Sequence, residues 1–281
     1  MVRIITDSAA DFEPAELEKL NIFCIPLTVI LEDKSYLENV NLSKQEFYEL
    51  LASTGAAPQT SQPAPNLLFE YFRDAKKAGD EAIYIPISSG ISGTYQTALI
   101  TLEDVECDDC YVVDGLNATA GQRILVEYAV RLRDEGKSAR EIAAALEQVR
   151  DKVVLYACID TLEYLYRGGR ISHTVYKVGS MAQIKPIISI DAEGKVSVPG
   201  KAMGMRKGMD TLCKYLDTHQ PDPDFPLYLM YTNQRGAAEA LGQRMAAHGH
   251  TIADDRIIGV GAAIGAHIGP DACGVVYIEK E

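Results

Sequence analysis

The chain has 281 residues, 47% of them apolar, and a formal net charge of −13. That length holds one large domain or two ordinary ones, and the acidic balance argues against a nucleic-acid binder and against a surface for anionic lipid, both of which need clustered Lys and Arg. No apolar run approaches the roughly 18 residues of a membrane span, and Asp7 and Asp11 fall where a secretory signal needs its apolar core, so a cytoplasmic protein is expected.

Arg3-Ile4-Ile5-Thr6 predicts a short strand ending at Asp7-Ser8, and Pro14 to Leu20 a short helix. Ile25 to Glu32 alternates weakly and predicts a second strand, with Lys34 to Leu37 returning from a turn at Asp33. Ser43 to Ser53 predicts a helix opened by a capping box, since Glu46 lies three residues after Ser43. A Pro-rich linker over residues 57–65 leads into an amphipathic helix from Asn66 to Ala78. Ala82 to Ile87 reads as a buried strand that breaks into the Ser/Gly loop Ser88 to Gln96 and then a helix. Cys110 to Val113 is a further strand, and Thr119 to Glu135 and Ala139 to Lys152 are long helices. This alternation implies a largely parallel sheet with helices on both faces.

From Val153 onward the pattern is mixed. Val153 to Ile159 predicts a strand, and Lys185 to Val198 a hairpin turning at Asp191-Ala192-Glu193-Gly194. Helices are expected over Met205 to Thr218 and Gly236 to His248, and strands over Leu227 to Thr232, Asp255 to Val260 and Gly274 to Ile278. The fold class is therefore α/β with two domains: residues 1–152 around a parallel sheet and residues 153–281 around a mixed one.

Two segments point to an anion. Ser88 to Gln96 joins a strand to a helix through Gly90 and Gly93, and Thr60-Ser61-Gln62-Pro63-Ala64-Pro65 precedes a second helix. Unpaired N–H groups at a helix start carry partial positive charge, glycine lets backbone approach a ligand, and hydroxyls add hydrogen bonds. At the carboxyl ends of parallel strands such loops share one crevice. The plain alternative is that Ser92 or Thr94 is only an N-cap and the 60s loop only a rigid linker.

Gly259-Val260-Gly261-Ala262-Ala263-Ile264-Gly265 looks like a dinucleotide fingerprint, but too little chain follows for a βαβ unit and Pro270 interrupts it. The glycines there serve close packing around His267. His267 is either a core residue or a donor or cation for a bound acid, and flanking Gly265 and Gly269 are expected to open space for that second role. Arg170 follows two glycines, which let the backbone approach something closely, and its plain alternative is an interdomain salt bridge. Cys107-Asp108-Asp109-Cys110 has no second pair for zinc, and its acidic middle opposes redox use. It reads as an exposed loop, and all six cysteines as compatible with free thiols. Met203, Met205 and Met209, with Leu212 and Leu216, line either a flexible apolar cavity or the core. No metal or cofactor motif is present.

These residues together resemble the DegV family of bacterial fatty-acid-binding proteins. The match runs through Ile5-Thr6-Asp7-Ser8, Thr60 to Pro63, Ser88 to Gln96, Gly168-Gly169-Arg170-Ile171-Ser172, Lys185-Pro186-Ile187 and Ile264 to Gly269. The resemblance implies a two-domain carrier that encloses one long-chain fatty acid, such as palmitate, stearate or oleate, in an apolar tunnel between its domains. It implies delivery to a fatty acid kinase that makes acyl phosphate for phospholipid synthesis. Carried over, Thr60 or Ser61, with Ser92 and Gly93, hold the carboxylate, and His267 and Arg170 stand near the head group or mouth. Departures are Ala64 where Ser is common, Ile268 where a hydroxyl or small residue is common, and Asp271 for a usual Gly. The expected partners are the fatty acid, the kinase and, transiently, a membrane, for a monomer without catalysis of its own. Two rivals remain. One is a serine-dependent acyl hydrolase or transferase with Ser92 as nucleophile, His267 as base and Asp7 as orienter, although Ser92 lacks the strained elbow sequence. The other is a phosphate- or nucleotide-binding enzyme.

Overall fold

The computed structural model describes residues 1–179 and 183–280. The chain opens with β1 (Val2–Asp7), α1 (Pro14–Leu20) and β2 (Ile22–Ile25). The single strand expected from Ile25 to Glu32 is broken at Pro26, which has no N–H to give a ladder. β2 ends there and β3 (Thr28–Leu31) runs in a different sheet, with β4 (Lys34–Leu37) returning antiparallel. α2 (Lys44–Thr54) carries the expected Ser43–Glu46 capping box. The expected linker is partly a strand: β5 (Gln59–Ser61) pairs with β3 and sets Thr60 opposite Val29. α3 (Pro65–Ala78), β6 (Glu81–Ile85), α4 (Thr94–Val105), β7 (Cys110–Val112), α5 (Thr119–Asp134) and α6 (Ala139–Val149) follow. β2, β1, β6 and β7, in that order, form a parallel sheet.

The later elements are β8 (Val153–Cys158), α7 (Glu163–Arg167), α8 (His173–Gly179), β9 (Ile184–Ile190) and β10 (Val196–Met203). They continue with α9 (Gly204–Thr218), β11 (Tyr228–Tyr231), α10 (Gly236–Ala247), β12 (Ile257–Gly259), α11 (Ala262–Ile268) and β13 (Cys273–Ile278). Their sheet has the order β10-β9-β8-β13-β11-β12, and only β11 and β12 run parallel. The protein is thus α/β, with a parallel N-terminal sheet and a mixed C-terminal one. α8 and α11 carry no clear periodic signal. Glycine weakens helix propensity in α11, and packing overrides it, since all seven of its residues are buried.

α5 lies between the two sheets, touching β1 and β6 on one side and β8, β11 and β13 on the other. That double burial explains why polar residues on it must be paired. Gln122 Nε2 donates to Thr6 Oγ1, Asp7 Oδ1 and the Ile85 carbonyl. Arg123 pairs with Glu16 and Glu127 while its guanidinium stacks 4.4 Å from the Phe12 ring centroid. Among the methionines, Met209 joins Leu212 and Leu216 in a packed core, whereas Met203 is 56% exposed. The reading of Cys107 to Cys110 is corrected. The left-handed residue Glu106 ends α4, and the short return to β7 brings the two Cα atoms to 5.3 Å, where the cysteines form a disulfide. Both are buried and only Asp108 and Asp109 are exposed, so the loop is neither open nor entirely of free thiols. No described helix is long and apolar enough to cross a membrane.

Candidate functional site

β1 delivers Asp7 to the base of the Ser88 loop. The carboxylate is fully buried and accepts hydrogen bonds from Ile87 N (2.9 Å), Ala9 N (3.1 Å), Gln122 Nε2 (3.0 Å) and Tyr84 Oη (3.2 Å). Desolvation raises its pKa against the pull of those bonds. Asp114 holds the next stretch, accepting from Ser89 N and Leu116 N at 3.1 Å. From the other half, the tip of the β9–β10 hairpin seats on the loop. Ser88 Oγ donates to the Gly194 carbonyl at 2.7 Å, and a Cβ on Gly90 would lie 2.6 Å from the Glu193 and Gly194 carbonyl oxygens. The loop is therefore clamped before it reaches Ser92.

Ser92 Oγ shares a hydrogen bond with Thr94 Oγ1 at 2.8 Å and accepts from Thr94 N at 3.3 Å. Gly93, not Ser92 or Thr94, is the N-cap of α4, and it supplies no side-chain cap. α3 likewise starts at Ala64 with no side-chain cap, at the position where the missing Ser would stand. α2 and α6, by contrast, close their first turns with full capping boxes. Neither candidate loop has an N-cap side chain closing its first turn: Thr94 N is held by Ser92 Oγ and Leu67 N by the Ala64 carbonyl, and the remaining first-turn donors suit a carboxylate.

The alternation of β5 sends Thr60 and Ser61 to opposite faces. Thr60 Oγ1 meets His267 Nε2 at 2.7 Å, whereas Ser61 is exposed and donates to the Gln62 carbonyl. A Cβ on Gly93 would stand 2.8 Å from Gln62 Oε1, so the two loops meet. A Cβ on Gly168 would stand 2.1 Å from His267 Nδ1, so the Gly168-Gly169-Arg170 segment closes over the imidazole. Arg170 Nε donates to the Ile91 carbonyl at 3.3 Å, beside Ser92, and its NH1 donates to the Gly168 carbonyl. It bonds carbonyls rather than an acid, so the ion-pair reading of Arg170 is corrected. Thr60, Ser92, Gly93, Arg170 and His267 thus gather in one place, with His267 buried and Gly93 exposed at the rim.

Burial, aided by Arg170, pulls the His267 pKa down to about 4, so the imidazole is a neutral donor rather than a cation at neutral pH. Its Nδ1 has no hydrogen-bond partner among the described residues. A buried orphan N–H costs more than a buried orphan lone pair, which places the proton on Nε2, donating to Thr60 Oγ1. The Thr60 hydroxyl hydrogen is then free to point at a ligand. The expectation that Gly265 and Gly269 open space is also corrected. A Cβ on Gly265 would lie 2.5 Å from Tyr48 Oη, and one on Gly269 2.5 Å from the Tyr164 ring, so both glycines permit contact rather than leave room. The relay required of a serine hydrolase is not assembled: Ser92 bonds Thr94, His267 bonds Thr60, and Asp7 is occupied by four other donors. Asp271 adopts φ 65°, in the left-handed region that glycine enters without strain.

A cleft of about 1020 Å³ lies elsewhere, lined by Asn39, Lys44, Tyr48, Tyr231, Arg235 and neighbouring polar groups, and none of the head-group residues faces it. Its polar walls do not suit an alkyl chain. Beside Ile268, Ala157, Met230, Thr232, Val260 and Ala272 line a void of about 10 Å³.

The model of the DegV family, described as an uncharacterised protein of that family, matches residues 1–280. A DegV domain-containing protein of Caldanaerobacter subterraneus subsp. tengcongensis is 34% identical over 282 residues, covering 99% of each chain. A DegV family protein of Thermus thermophilus, solved for its fatty acid binding, has a TM-score of 0.88 and 28% identity over 99% of each chain. DegV of Bacillus subtilis, a fatty acid binding protein, gives a TM-score of 0.85 and 28% identity, again over 99% of each.

Proposed function

We propose, for a chain that belongs to the DegV family, that it binds one long-chain fatty acid, with the carboxylate at Thr60, Ser92 and the backbone beside Gly93, and presents it to a fatty acid kinase. The observation that carries this reading is the Thr60–His267 hydrogen bond set between two helix starts without side-chain caps. A carboxylate leaving water needs several donors. The Thr60 and Ser92 hydroxyls and the remaining first-turn N–H groups of α3 and α4 supply them without a buried basic cluster. His267 acts through Thr60, and Arg170 stands at the mouth. The protein is a carrier, without catalysis of its own.

The alkyl chain supplies most of the affinity, at about 0.8 kcal/mol per buried CH₂. Summed over a long chain this exceeds observed affinities, so ordering and repacking consume much of it. A tunnel between residues 1–152 and 153–281, which we treat as the two domains, requires side chains to move, and the void of about 10 Å³ beside Ile268 is lined by residues of 153–281 alone.

Mass spectrometry of lipid extracted under denaturing conditions, from protein purified from a bacterial host, should find a stoichiometric acyl chain. No acyl chain, together with no uptake of added palmitate, stearate or oleate, would sink the reading. A fluorophosphonate should leave Ser92 unlabelled, and stoichiometric labelling would favour the hydrolase. The kinase step is tested by supplying the loaded protein to a fatty acid kinase and measuring acyl phosphate.

A further inference from the structure

Two acids that no sequence motif singled out meet the N-terminus of α11, the helix that carries His267 in its last turn. Asp11 and Glu38 are each 1% exposed. Asp11 Oδ1 accepts from Gly261 N at 2.7 Å and Glu38 Oε1 from Ala263 N at 3.0 Å. Among the described residues the second oxygen of each, Asp11 Oδ2 and Glu38 Oε2, has no hydrogen-bond partner. Gly261 leaves no room beside them, since a Cβ there would lie 2.3 Å from Glu38 Oε1 and 2.9 Å from Asp11 Oδ1. Lys44 Nζ holds the Asp11 carbonyl at 2.9 Å, and Tyr48 Oη donates to the Val260 carbonyl at 3.0 Å.

We propose that Asp11 and Glu38 are positioning residues for the head-group site, seating the first turn of α11 and thereby fixing the His267 imidazole against Thr60. The physical argument starts from the helix. All seven residues of α11 are buried, so its first N–H groups have little access to water and must find partners within the protein. Asp11 and Glu38, which supply those partners, come from the first half of the chain, as does Thr60. The acids at one end and Thr60 at the other therefore fix the helix against one scaffold. Moving the first turn by a fraction of an ångström moves the imidazole that orients the Thr60 hydroxyl. Burying two carboxyls is costly, and core stability alone would be served as well by apolar packing.

The inference rests on the reading of Thr60 and His267 as the head-group site, and the test separates the two. ¹⁵N spectra of the histidine rings, with the His267 signal assigned by its loss in His267→Gln, report the imidazole without any ligand. Asp11→Ala and Glu38→Ala should each shift the His267 ring signals and weaken binding of added palmitate severalfold, by no more than His267→Ala does. Asp11→Asn and Glu38→Gln, which keep an acceptor for the helix, should restore much of both. Leu241→Ala, a destabilising cavity in a different core cluster, should move neither. If the alanine variants do not fold, Gly261→Ala displaces both carboxylates and should produce the same His267 shift. Unchanged His267 signals in the folded variants overturn the proposal. A His267 shift with no palmitate binding even in the wild type would leave the positioning standing and reject the fatty-acid reading.

Discussion

Thr60 and His267 act in series, so their substitutions should not add. Thr60→Val keeps the shape of the side chain and removes the hydroxyl, and should lose roughly 1.5–3 kcal/mol of palmitate affinity, the worth of a hydrogen bond to a charged acceptor. Ser92→Ala should lose a similar amount while leaving the fold intact. His267→Ala alone should cost less, because Thr60 can still rotate its hydroxyl toward the ligand. The double variant Thr60→Val/His267→Ala should bind no worse than Thr60→Val, whereas Ser92→Ala should add to either. Titration calorimetry on the four proteins decides it: additive losses for Thr60 and His267 would mean that the imidazole contacts the carboxylate directly.

At the scale of elements, the β9–β10 hairpin is the part of the second sheet that reaches the anion loop. Gly194 sits at φ 72°, and a Cβ there would lie 2.1 Å from Ser88 Oγ. Gly194→Ala should therefore cost about 1–2 kcal/mol for the left-handed backbone alone, with a further loss from the displaced Ser88, read as a lower urea midpoint. Palmitate affinity should fall with it, since the loop from Ser88 to Ser92 loses its clamp. An unchanged midpoint would show that the hairpin tip yields freely. The hairpin and its turn were legible in the sequence, as were most helices, because apolar periodicity and turn residues are local. The contact of its tip with Ser88 was not, since the two lie 106 residues apart. The same division runs through the site. Thr60, Ser92 and His267 were found as hydroxyls and a histidine near helix or glycine signals, but which of Thr60 and Ser61 faces inward depended on β5, hidden in a Pro-rich stretch. Asp11 and Glu38 carry no pattern at all: each is one acid among many until the fold buries it.

Across the whole molecule, two titrations cross the junction between the halves with opposite signs. Asp11, buried beside Glu38 and only partly relieved by Lys44 and Arg123, has its pKa pushed up from 3.8 to about 7. Between those values the unfolded chain has released the proton that the native protein keeps, so this group's contribution is full in acid and falls as pH rises to about 7. Burial of Asp7 and Glu38 acts in the same direction. His267, facing Arg170, runs the other way. Its pKa falls from 6.5 to about 4, so the unfolded chain takes up a proton that the native site refuses, and its contribution is full above 6.5 and lost as pH falls to about 4. Over the shared window the two slopes oppose and partly cancel in the wild type. Urea unfolding at pH 5, 6 and 7 should then separate them. Asp11→Asn should make stability rise more steeply with pH than in the wild type, because one of the slopes that oppose His267 is removed while those of Asp7 and Glu38 remain. His267→Gln should make it fall with pH, because the acids act alone. Parallel pH profiles in all three proteins would mean that neither group is held in its unusual protonation state, and that the junction between the halves admits water.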